Sequence, residues 1–140
     1  MIGNGGYSAI GDSYKWATFV LHSGENATVG ENKTNGWICD KSLTIEKVYA
    51  YCKTAPTGAD LIFDINKNGT TIWATQANRI QIAAGAQAGS QTSVDTTTFA
   101  EGDILTVDID QIGSTVAGKD ITILVRFKNG FNIFSNILVN

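Results

Sequence analysis

Apolar residues return at every second position in four separate stretches of this chain. Ile121, Ile123, Val125 and Phe127 form the cleanest run, and Leu105, Val107 and Ile109 form another. Leu61, Phe63 and Ile65 alternate with neighbours that include Asp64 and Asn66, and Ala17, Phe19 and Leu21 share one parity. A period of two places those side chains on one face of a strand, and one face can be buried while the other stays wet. No stretch shows the 3.6-residue spacing of an amphipathic helix.

The punctuation between the runs agrees. Asn68-Gly69 is a hairpin signal, because a type I′ turn needs positive φ at both central residues. The return strand is expected at Thr71 to Thr75. Further strands are expected at Trp37 to Cys39, Leu43 to Cys52, Arg79 to Ala83 and Thr96 to Phe99. Within Leu43 to Cys52 the alternation slips between Ile45 and Val48, which predicts a β-bulge. Ser23 to Gly36, Thr54 to Gly58, Ala84 to Gly89 and Gly113 to Lys119 read as loops or turns. Eight or nine short strands at these spacings predict an all-β, two-sheet antiparallel sandwich, jelly-roll-like in its strand count.

The chain's 140 residues suffice for one domain, and 43% hydrophobic residues suffice for its core. The sandwich is expected over residues 15–127, between an extended N-terminal arm (1–14) and an apolar C-terminal tail (128–140). The arm carries Ile2, Tyr7 and Ile10. The tail carries Phe131, Ile133, Phe134, Ile137, Leu138 and Val139. Burying those six side chains roughly offsets the entropy of ordering the tail. The tail is therefore expected to order only where it gains ladder hydrogen bonds as a strand, on its own chain or a neighbouring subunit. These nine residues are the expected partner-binding set.

Charged residues are 16% of the chain, the net charge is −3, and no basic run occurs, which argues against a nucleic-acid partner. No segment has the length and apolarity of a membrane span, and residues 1–14 lack the pattern of a secretory signal.

Catalytic and metal constellations are weak. Asp64-x-Asn66-x-Asn68-Gly69 matches the opening of an EF-hand loop, but position twelve is Thr75 and the flanks are strands. A wet strand running into a hairpin explains it. Asp108 and Asp110 share a strand face, near Asp103 and Asp120, as strands do to stay wet. His22 is the one histidine, without a metal-type partner set. Cys39 and Cys52 are too few for a disulfide framework; a single bridge and two small buried thiols are the alternatives, the second being commoner. No enzyme, cofactor or metal is expected. Trp16, Trp37 and Trp73 could form a platform for stacking sugars, against the ordinary reading of aromatics as core fillers.

One internal echo aligns the segment from Gly58 to Thr71 with that from Gly102 to Thr115. It reads as two strand-turn units meeting the same demands rather than as a repeat array.

Three stretches carry a resemblance: TAPTGADLIFDINKNGTTIW (54–73), IAAG (82–85) and GDILTVDIDQIG (102–113). Together they resemble small β-sandwich virion proteins of tailed bacteriophages, over about residues 43–127. The resemblance implies a non-enzymatic structural protein, most readily a capsid decoration (cement) protein. It would be a homo-oligomer, a trimer, bound to the major capsid protein on the capsid exterior and assembled in the host cytoplasm. The alternative it implies is a tail or fibre module that binds a receptor or carbohydrate. The shared motif is a strand-turn pattern, so it transfers no site residues.

Overall fold

The structure is a computed structural model that describes residues 14–129. Among the described residues, ten strands make two antiparallel sheets, and Gln76–Asn78 forms a 3-10 turn. The first sheet contains β1 (Tyr14–Asn26), β10 (Lys119–Asn129), β3 (Leu43–Thr54) and β7 (Ala88–Gln91) in that order, with β8 (Thr98–Phe99) also on β3. The second contains β2 (Trp37–Ile38), β9 (Ile104–Gln111), β4 (Leu61–Lys67) and β5 (Thr70–Thr71), with β6 (Gln81–Ile82) also on β4. If β5 with β6, and β7 with β8, are each taken as one interrupted strand, the two sheets hold four strands apiece in jelly-roll order. The expected sandwich is what the chain forms.

The alternating runs point inward as their period requires. Ala17, Phe19 and Leu21 of β1, Ile121, Ile123, Val125 and Phe127 of β10, and Val48, Ala50 and Cys52 of β3 line the inner face of the first sheet. Leu61, Phe63 and Ile65 of β4 and Leu105, Val107 and Ile109 of β9 line the inner face of the second. At one end Trp37 stacks on Phe127 (5.3 Å between centroids, 9° between planes), and Phe99 meets the same ring edge-on.

The bulge lies where the pattern slips. Arg126 pairs with Lys47 and Phe127 with Ile45, leaving Glu46 as the extra residue of β3. The Asn68-Gly69 turn has φ of 51° and 85°, positive at both central residues as the sequence predicts. The Asn68 side chain also fastens this turn to β9, donating to Asp103 (2.9 Å) and accepting from the Ile104 N–H (2.9 Å).

Beyond β1, which runs on to Asn26 into the loop expected from Ser23, three local expectations are corrected. The return strand ends at Thr71, because the Thr71 hydroxyl takes the Trp73 N–H and Trp73 turns into the core. The Ala84 to Gly89 loop ends in a strand: β7 begins at Ala88 and pairs with Tyr51 through Val48. Its sequence, AGSQ, has no alternation to announce it. The third concerns the strand set at Arg79 to Ala83, of which Gln81–Ile82 is laddered.

Candidate functional site

β1 and β10 run antiparallel, and Tyr14 pairs with Lys128. The described residues therefore begin and end side by side, at one end of the first sheet. Tyr14 of the expected arm, and Lys128 and Asn129 of the expected tail, are themselves strand residues. Ile2, Tyr7, Ile10, Phe131, Ile133, Phe134, Ile137, Leu138 and Val139 lie outside the described residues.

The three tryptophans do not share a surface. Trp73 has no exposed area, and its indole N–H donates to the Ser93 carbonyl (2.7 Å). Trp37 is committed to Phe127. Trp16 alone stands out on a sheet face, 49% exposed. The three-tryptophan platform is thus not assembled, since strand parity sends Trp16 outward and the core takes Trp73.

A different aromatic set occupies the outer face of the first sheet. Tyr14 and Trp16 come from β1, and Tyr49 and Tyr51 from β3, each at the parity opposite to the core residues. Arg126 of β10 lies between them. Its guanidinium carbon is 5.7 Å from the Tyr14 ring centre and 5.9 Å from that of Tyr49. It also donates to the Tyr49 hydroxyl (3.2 Å) and pairs with Glu46 (3.3 Å), the bulged residue. A cation held over aromatic faces strengthens such a surface. Composition alone could not find this set, because it requires knowing that β1 and β3 both flank β10.

On the outer face of the second sheet a polar cleft of about 440 Å³ is lined by Glu31, Asn32, Asp64, Asn66, Gly69, Thr71 and Asp108. Asp64 lies opposite Asp108 in the β4–β9 ladder. The Asp64 carboxylate accepts from the Thr71 hydroxyl (2.5 Å) and pairs with Arg79 (3.2 Å), which also holds Asp110 (2.6 Å). Asp108 accepts from the Asn32 N–H (2.7 Å) and the Asn66 amide (2.8 Å). Burial, with Asp110 and Asp108 nearby, pushes the Asp64 carboxyl above the usual carboxylate range, against the pull of Thr71 and Arg79. The network pins the loop at Asn32 to the sheet and satisfies each carboxylate. Among the described residues no three His, Cys, Asp or Glu side chains are grouped to hold a metal ion.

Cys39 and Cys52 are free and buried, and burial raises both thiols above their ordinary range. Cys52 lies in β3, whereas Cys39 follows β2 in the other sheet and donates to the Lys41 carbonyl (2.9 Å). A thiol disfavoured as thiolate is a poor nucleophile. His22 sits on β1 with Lys33 nearby, and its pKa is lowered, chiefly by burial.

No family model and no curated protein matches the chain. Solved structures are similar to it at low identity. The capsid asymmetric unit of cyanophage Pam1 contains a chain 11% identical, with a TM-score of 0.48, over 85% of this chain and 86% of that one. The Drosophila NLP core, described in terms of pentamer formation and histone binding, is 10% identical with a TM-score of 0.38, over 81% and 95%. The globular domain of zebrafish complement 1qA is 10% identical with a TM-score of 0.37, over 82% and 98%.

Proposed function

We propose that the chain is a structural component of a phage particle, a capsid decoration protein that self-associates and braces the major capsid lattice. The observation that carries this reading is the pairing of Tyr14 with Lys128, which sets the first and last described residues side by side at one end of one sheet. A sandwich whose first and last described residues lie side by side, with an apolar tail sequence following the last, is suited to gripping neighbouring subunits at a single point. The strand-turn resemblance to phage virion proteins supports the same reading. So does the state of the polar residues, whose carboxylates and thiols are engaged in holding the fold. The mechanism is mechanical: many such contacts, each modest, add up across a lattice to oppose outward pressure.

The test is co-sedimentation of the full chain with capsids that lack it, beside variants missing residues 1–13 or 130–140. Binding by the full chain and loss of binding in at least one deletion, with the strand signature in circular dichroism unchanged, is the expected result. Equal binding by all three chains rejects terminal attachment.

One observation favours a second reading, a carbohydrate-binding module of a tail or fibre. Tyr14, Trp16 and Tyr51 are 45%, 49% and 48% exposed on one sheet face, where an aromatic ring can stack on a sugar. Glycan-array binding that disappears in Trp16→Ala but survives deletion of the termini would select this reading over the first.

A further inference from the structure

Exposed sheet edges invite pairing, and natural β proteins shorten, charge or cover them. Among the described residues every edge strand but one is short: β2, β5, β6 and β8 have two residues and β7 has four. The exception is β1, whose regular ladder with β10 runs from Tyr14 to Leu21 while its other side pairs with no described strand. Over those eight residues there is no proline, and the one charge, Lys15, is engaged by Asp40 (2.8 Å). Beside this edge lies an open cleft of about 310 Å³, walled by Thr18, Phe19 and Val20 on one side and by Lys33, Thr34 and Asn35 on the other. Among the described residues this edge is long, its one charge is engaged, and space lies beside it.

We propose that residues 130–140 of a second copy of this chain fill that cleft by adding as a strand to the free edge of β1. The inference rests on the homo-oligomer reading above and names the segment and the edge that would make the oligomer. Residues 130–140 read GFNIFSNILVN, without charge or proline and with asparagine at every fourth position from Asn132. One parity holds Phe131, Ile133, Ser135, Ile137 and Val139, suited to a strand with one apolar side. Eleven residues of strand reach about 36 Å at ~3.3 Å each, more than the roughly 26 Å of an eight-residue ladder.

The route favours a second copy over the same chain. Residue 130 follows β10, which already occupies the inner side of β1. To reach the outer side of its own β1, the segment would cross about two strand spacings, ~9.6 Å, past the point where the chain enters β1 at Tyr14. Connections that cross at one sheet edge are avoided. Given to a neighbour, the segment crosses nothing. Donor and acceptor then lie side by side on every copy, a head-to-tail arrangement that closes into a ring when the rotation permits.

The test uses two full-length chains expressed together. One carries an affinity tag and Thr18→Cys. The other carries a single cysteine, placed in turn at each position from Ile133 to Ile137. Buried Cys39 and Cys52 do not compete. The expected result is a reductant-sensitive cross-link between the two chains for at least one tail position, and none when the tagged cysteine is moved to Glu101. Ile133→Asp with Ile137→Asp in the full chain should reduce the mass in light scattering to that of a single chain. An oligomer that forms without any cross-link, or that persists in the double variant, overturns strand donation and leaves the homo-oligomer reading standing. A full-length chain that is monomeric overturns both.

Discussion

Asp64 and Asp108 stand directly opposite each other in the β4–β9 ladder. Like charges across a ladder destabilise a sheet, and here Arg79, Thr71, Asn66 and the Asn32 N–H offset the repulsion. The Asp64 carboxyl is still pushed up, foremost by burial. A carboxyl that titrates higher in the folded than in the unfolded chain is protonated more readily when folded. Its ionisation therefore costs stability as pH rises from the ordinary carboxylate value through the raised one. The stability of the native chain minus that of Asp64→Asn should fall with pH across that window, as followed by urea unfolding at a series of pH values. A difference that rises with pH would contradict the assignment.

Trp73 is the largest fully buried side chain among the described residues and reaches the Ser93 carbonyl. Trp73→Ala should cost about 3–5 kcal/mol through the cavity. Trp73→Phe should cost less than Trp73→Ala, roughly 1–3 kcal/mol for the unpaired carbonyl and any cavity. Chemical denaturation measures both.

Gly89 shows a close approach that its sequence context does not advertise. A Cβ there would fall on the Gln81 carbonyl oxygen, where β7 passes β6. Gly89→Ala must displace backbone rather than a side chain, and should cost about 1–3 kcal/mol or more. An unchanged unfolding midpoint would show that the two strands can separate freely.

The buried thiols give a direct readout of opening. Cys39 and Cys52 should resist an aromatic disulfide reagent in the native chain and react together in denaturant. Rapid native labelling of either would contradict the burial.

Because Tyr14 pairs with Lys128, the described residues can be rejoined in a new order. A chain in which Asn129 runs through Asn-Gly into Tyr14, opened between the exposed Lys41 and Ser42, should fold to the same sandwich. Its melting midpoint should lie within about 4–8 °C of that of residues 14–129, the shift expected for ~1 kcal/mol. Failure to fold, where residues 14–129 do fold, would contradict the side-by-side placement of Tyr14 and Lys128.

The candidate surfaces were legible in the sequence to different depths. The carboxylates of β9 were visible as a wet strand face, yet their opposition to Asp64 was not, because that needs the register of two strands. Trp16, Trp37 and Trp73 look alike in a composition, and their fates diverged. Trp16 sits at an outward parity of β1, Trp37 covers Phe127, and Trp73 fills the core. Strand β7 escaped because AGSQ has no alternation of its own and is a strand only through its ladder with β3.

What the sequence determined by itself was local. The two-residue period of Ile121 to Phe127, the slip at Glu46 and the Asn68-Gly69 turn each depend on the backbone preferences of a few adjacent residues, and each is found in the structure. The tertiary structure alone decided which strands became neighbours. The same alternating pattern is compatible with many partners, and the choice is made by packing and register between residues far apart in the chain. That choice brought Tyr14 beside Lys128, left the outer edge of β1 without a described partner, and set Arg126 between the tyrosines of β1 and β3.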